Sequence, residues 1–155
     1  MTVTYIYHSC CAIEFDDFSI IIDYYIDSIK DGEETGWVSQ HLLQNDKPLY
    51  VLCTHSHGDH FNEKILSWDK ERENITYLFS KEIVDTLTDN SLLKDEKIIY
   101  LDKFEEYRDD NIMVKAFGST DAGASFYIEH KKKKLFHAGD LNNWHWNEEV
   151  PRDEA

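Results

Sequence analysis

No apolar run in this chain approaches the roughly 20 residues that a membrane-spanning helix needs. No charged, apolar and small-residue leader opens it either, so no membrane association is expected and the cytoplasm is the expected compartment. Positive charge is scarce. Sixteen Lys and Arg face 31 Asp and Glu, a formal net charge of −15, and a field of that sign repels phosphate backbones. The basic run 131–134 falls between two strand-like segments and reads as a solvated turn, so a nucleic-acid partner is not expected. Cysteine is scarce too. Cys10, Cys11 and Cys53 are odd in number and lack zinc-finger spacing. Neighbours on a strand point to opposite faces, so Cys10 and Cys11 are poor mutual partners and all three read as reduced thiols. No G-x-S-x-G segment is present to suggest a serine nucleophile. Internal repeats, low-complexity tracts and linkers are also missing. One domain is therefore expected over residues 1–148, followed by a frayed acidic tail at 149–155.

What is present is an ordinary globular composition, 41% hydrophobic and 14% aromatic, enough to bury a core at this length. TVTYIY (2–7) is rich in strand formers. AIEF and SIIID flank Asp16-Asp17, a good turn pair, and predict a hairpin. A polar connection follows, with a short helix expected near 38–44, and Pro48 ends it. LYVLCT (49–54) is a continuous apolar run, as in a strand covered on both faces. A short helix is expected from Asn62. Strands at 75–80 and 97–101 bracket helical spacing in KEIVDTLTD (81–89). Strand, helix, strand, helix, strand is an α/β signature. NIMVKAFG (111–118) then precedes a hairpin of SFYIEH and KLFHAG across the lysine turn.

The segment HSHGDH, directly after the apolar run, carries His55, His57, Asp59 and His60. Imidazoles two apart at a strand mouth can face one point if the backbone bends, and Gly58 supplies the bend. Asp59 and His60 then reach a second point close by. Nitrogen and oxygen donors of this kind suit one or two divalent ions. Zinc is the first expectation, with iron and manganese as the alternatives.

HSHGDH resembles the signature of the metallo-β-lactamase superfamily. Three more segments agree in the same order: SIIIDYY, FGSTDAGASFYIEH and KLFHAGDLNNW, within residues 3–146. The resemblance implies an αβ/βα sandwich, here lacking its last strands and helix. It implies His55 and His57 on metal 1, Asp59 and His60 on metal 2, and Asp140 bridging both. Asp23 would orient a ligand histidine by accepting its free N–H.

Two departures stand out. Ser119 occupies the place of the family's third histidine, and serine is a weak ligand. Asp121 is the candidate replacement, its other reading being a turn residue before Gly123. The chain also ends soon after Trp146, before the further strands, helix and histidine of the family's second half; His145 is a candidate stand-in. Either the form is short or a C-terminal segment is missing. A sheet without its last strands exposes an edge, so a homodimer through that edge is expected. His8 is a further site candidate by analogy. His137 is expected beneath the metal site, and His41 and His130 at the surface. Trp37, Trp144 and Trp146 read as pocket walls or core anchors.

The expected reaction is hydrolysis of a small-molecule ester, lactone, amide or phosphodiester by a metal-bound hydroxide, which Asp59 would orient as the catalytic carboxylate. Two alternatives stay open: a degenerate metal-binding module without turnover, and a nuclease, against which the charge counts.

Overall fold

The computed structural model describes residues 1–142. They form two compact units: one of Met1–Cys53, His57–Leu78 and Asp95–Ile99, the other of Thr54–Ser56, Phe79–Lys94 and residues from Tyr100 onward.

Twelve strands are described: β1 (Thr2–Tyr7), β2 (Cys10–Glu14), β3 (Ser19–Ile22), β4 (Ile29–Lys30), β5 (Glu33–Glu34), β6 (Leu49–Cys53), β7 (Ile75–Ser80), β8 (Ile98–Leu101), β9 (Glu106–Arg108), β10 (Met113–Gly118), β11 (Ala124–His130) and β12 (Lys133–His137). A six-stranded sheet runs in the order β1-β2-β3-β6-β7-β8, a four-stranded sheet in the order β12-β11-β10-β9, and β4 pairs with β5.

In the first unit, β2 and β3 form the hairpin expected at Asp16-Asp17. Phe15 N–H donates to the Phe18 carbonyl at 2.9 Å, and Glu14 pairs with Ser19. β3 then lies parallel to β6, from Ser19 opposite Leu49 to Ile22 opposite Leu52. Every residue of both strands is buried, which explains why neither alternates polar with apolar. Burying Ile20, Ile21 and Ile22, each at most 1% exposed, stabilises this pair by about 1.5–3 kcal/mol per side chain. β1 is one of the sheet's two outer strands; it carries no charged residue and exposes Val3 and Tyr5.

The polar connection after β3 contains the small β4–β5 hairpin, which the sequence did not announce, and the expected helix as one π-type turn at Val38–Leu42. Leu43 N–H closes that turn on the Val38 carbonyl at 2.9 Å. After the histidines, Glu63–Lys70 forms a 3-10 helix. The Asn62 side chain accepts from Lys64 N–H at 2.9 Å, and Trp68 packs edge-on against Tyr24 at 4.9 Å.

In the second unit, α1 (Lys81–Thr86) is shorter than the pattern over 81–89 suggests, because the chain leaves helical geometry at Leu87. β10 begins at Met113 rather than 111. The Asp109 carboxylate accepts from Asn111 and Ile112 N–H at 2.8 and 2.9 Å and folds those residues into a turn. Val114 and Ala116 of β10 face Ile128 and Phe126 of β11, all four buried, so alternation sets the register. β11 and β12 make the predicted hairpin, with Lys131 at φ +52 in the turn. His41 is exposed beside Glu14 as expected. His130 differs: it is half-buried, 2.6 Å from the Asn111 carbonyl. Trp144, His145, Trp146 and the tail at 149–155 lie outside the described residues. Among those described, no helix is long and apolar enough to cross a membrane.

Candidate metal centre

The β6 ladder delivers the chain to Thr54 and His55, both fully buried. Thr54 is held at once, its carbonyl accepting from Ala124 N–H at 2.9 Å. The approach is close enough to require glycine. Gly123, at φ +74, has no room for a β-carbon, which would sit 2.6 Å from the His55 β-carbon and overlap the Thr54 carbonyl. Gly139, at φ +57, leaves only 3.0 Å to the Thr54 side chain. Thus the chain entering β11 and the chain leaving β12 both close on Thr54.

His55 Nδ1 lies 2.9 Å from Thr54 Oγ1, and its Nε2 lies 3.5 Å from Asp140 Oδ2. With the proton on Nδ1 and donated to the hydroxyl, Nε2 presents its lone pair on the Asp140 side. Ser56 is tied to α1: its N–H and Oγ–H donate to the two oxygens of Glu82 at 2.8 and 2.7 Å. His57 follows, exposed, one residue further along the same loop.

His55, His57, Asp121 and Asp140 each offer one donor atom, and the four atoms lie within 4.8 Å of one another. Bonds of 2.0–2.2 Å to a single ion place its ligands about 3–4.4 Å apart, so small side-chain movements would complete a shell here. Two imidazoles and two carboxylates are the donor chemistry of zinc, iron and manganese, and the residues fit a divalent ion. The cysteines do not belong to this chemistry. Burial pushes the Cys11 thiol up to about 11 and drives Cys10 and Cys53 up as well, keeping all three protonated.

Asp121 is therefore among the gathered donors. Ser119, its neighbour two residues back, is buried and accepts from Asp121 N–H at 3.2 Å. A cavity of about 270 Å³ opens beside Asp121, lined also by Glu82, Asp102, Lys103, Ser119 and Gly123.

Asp59 and His60 fall outside that group of four and form a cluster of their own in the first unit. His60 Nδ1 lies 2.8 Å from Oδ2 of Asp23, and both side chains are buried. Asp23 sits at φ +54 directly after β3, its N–H donating to the Leu52 carbonyl at 2.9 Å. With Asp23 accepting Nδ1–H, His60 Nε2 keeps its lone pair 3.7 Å from Asp59 Oδ2. The same carboxylate lies 4.0 Å from His8 Nδ1. His8 occupies a left-handed turn at φ +51, its ring edge-on to Tyr7 and Tyr25 at 4.9 and 5.5 Å. His137 Nδ1 accepts from Gly139 N–H at 3.1 Å, one residue before Asp140.

Sequence reasoning missed Thr54 and Glu82. Thr54 reads as the last residue of an apolar strand. Glu82 lies 26 residues from Ser56 in a helix whose acidic residues look like solvated surface, so no local signal marked it.

A family model described as the beta-lactamase superfamily domain matches residues 2–150. A search of curated sequences finds no match. Among solved structures, the chain is similar to CmlA, a diiron beta-hydroxylase from Streptomyces venezuelae, with a TM-score of 0.66 at 14% identity, over 91% of this chain and 30% of that one. It is also similar to Igni18, a metallo hydrolase from the archaeon Ignicoccus hospitalis, with a TM-score of 0.65 at 21% identity, over 90% and 60%. A metallo-beta-lactamase from Cronobacter sakazakii gives 0.54 at 12% identity, over 82% and 55%. The chain thus spans less than two thirds of the length of each of these proteins.

Proposed function

The chain belongs to the beta-lactamase superfamily, and on that premise we propose that it is a metal-dependent hydrolase of a small-molecule ester, lactone, amide or phosphodiester. The observation that carries this reading is the convergence of His55, His57, Asp121 and Asp140. These residues are the proposed holders of one divalent ion. Zinc is the proposed occupant, with iron and manganese accepted by the same donors. A bound ion supplies Lewis acidity, lowering the pKa of water toward neutrality and polarising the oxygen of a scissile bond.

The remaining work belongs to the chain's own groups. When His55 carries its proton on Nδ1, Thr54 Oγ1 at 2.9 Å accepts that N–H and leaves Nε2 facing Asp140. Asp23 does the same for His60, with a charged acceptor that raises the basicity of the imidazole. Asp59, half-buried between His60 and His8, is the proposed catalytic carboxylate, which would orient a water or accept its proton. His60 and Asp59 are the proposed holders of a second ion. The formal charge of −15 argues for small substrates over nucleic acid.

The test combines elemental analysis with turnover. Protein purified without added metal is expected to carry divalent ions and to hydrolyse at least one member of a panel of esters, lactones, amides and phosphodiesters. His57→Ala should lose metal and reduce kcat/KM by at least about 10²-fold, the scale on which single electrostatic groups act. Stoichiometric metal with no turnover on any class would reassign the chain as a metal-binding module.

A further inference from the structure

We infer that Glu82 is a positioning residue for the metal loop, setting the spacing of His55 and His57 by clamping Ser56 between them. This rests on the proposed metal reading above, and it assigns a role to a carboxylate that acts through Ser56. The parallel ladder with β3 holds the chain through Leu52. Beyond it, each residue needs its own restraint. Thr54 is restrained by Ala124 N–H, the His55 ring by the Thr54 hydroxyl, and Ser56 by Glu82.

The Glu82 contact is doubled. Oε2 accepts from Ser56 N–H at 2.8 Å, which fixes the peptide plane between His55 and Ser56. Oε1 accepts from the Ser56 hydroxyl at 2.7 Å, which fixes the side-chain rotamer. A third donor, Thr86 Oγ1 at 2.7 Å, holds the carboxylate itself from one turn further along α1. Bonds to an ionised acceptor are shorter and roughly twice as strong as neutral ones. Two residues that flank a clamped peptide have their relative side-chain directions set by it. A ligand pair held in advance binds its ion without first losing that freedom. Glu82 also lines the cavity beside Asp121, so the clamp and the candidate substrate space share a wall.

Glu82→Gln tests this. It keeps the size of the side chain and one acceptor, but turns an NH2 group toward a donor of Ser56. Zinc affinity, measured by competition with a chromophoric chelator, is expected to fall about 10–100-fold, the range for residues that orient ligands. The visible spectrum of the cobalt-substituted protein should shift, reporting altered ligand geometry. Thermal melting of the metal-free protein should stay at the wild-type value. Ser56→Ala, which removes one of the two bonds, should lose less affinity. The double variant should lose less than the sum of the singles, because both changes break the same clamp. Wild-type affinity and an unchanged cobalt spectrum in Glu82→Gln would overturn the inference. So would an affinity loss that merely tracks a drop in metal-free melting. Wild-type protein that takes up no metal overturns the metal reading and this role together, whereas metal-loaded wild type with an equally loaded Glu82→Gln sinks the role of Glu82 alone.

Discussion

Asp121 and Gly123 show how single residues build the centre. The sequence places serine at position 119, where a histidine would have been a direct ligand, and offers Asp121 two residues on as a candidate replacement or as a turn residue before Gly123. Folded, Asp121 is one of four gathered donors, and Gly123 lets that segment pass against Thr54 and His55. Gly123→Ala should therefore cost more than backbone strain. Gly32 provides the control: its φ of +84 is also left-handed, but a β-carbon there meets nothing within 4 Å. Urea unfolding is expected to show a loss of about 1–2 kcal/mol for Gly32→Ala, the cost of the left-handed backbone alone. Gly123→Ala should lose clearly more and bind metal more weakly. Equal losses in the two variants would mean that the segment can move away from His55 at little cost. The histidines and the aspartate at 55–60 draw attention in the sequence as candidates because ligand chemistry concentrates in few residue types, and of them His55 and His57 join the gathered group. Thr54, Glu82 and Gly123 do not draw attention, because supporting a ligand asks only for a hydroxyl, a carboxylate or the absence of a side chain in the right place.

At the scale of elements, the strands with strong patterns appeared where the sequence put them, and the weak elements did not. β3 and β6 are apolar throughout because both faces are covered, and β10 and β11 alternate because one face is. β4, β5 and β9 are two or three residues long and mostly exposed, too short for any period to show. The helical turn at Val38–Leu42 depends on a residue 11 positions away. Asp27 is buried and accepts from Ser28 and Val38 N–H at 2.8 and 3.0 Å through Oδ1, and from Ser39 N–H at 3.2 Å through Oδ2. Asp27→Ala leaves these donors without their acceptor, and a loss of about 1–3 kcal/mol is expected in urea unfolding. Because the Asp27 carboxylate serves Ser28, Val38 and Ser39 rather than the donor residues, metal stoichiometry should be unchanged. A wild-type unfolding midpoint would show that water replaces the carboxylate without penalty.

Across the whole molecule, buried acids of high pKa set a limit on alkaline stability. Burial holds Cys11 up to about 11 and Tyr100 up to about 12, and it also raises Cys10, Tyr24 and Tyr77. In the unfolded chain cysteine titrates near 8.5 and tyrosine near 10. Above about pH 8.5 the unfolded chain therefore releases protons that the folded chain keeps. Their contribution to stability is complete below that pH and is lost as pH rises through the folded values. The urea midpoint should be level from pH 7 to 8 and fall steadily toward pH 10.5. Cys10→Ala should flatten the first part of that fall. A midpoint unchanged between pH 8 and 10.5 would contradict the burial of these groups.

By itself the sequence determined the α/β class, the principal strands, the histidine–aspartate loop at the end of β6 and the family. Each of these is written in local pattern: hydrophobic period, turn residues, and ligand types packed into a few positions. Only the tertiary structure decided that Asp121 joins His55, His57 and Asp140, that Asp23 serves His60, and that Glu82 holds Ser56. Those pairings join residues tens of positions apart. Such distances are closed by sheet register and by the close backbone approaches at Gly123 and Gly139, which no local pattern encodes.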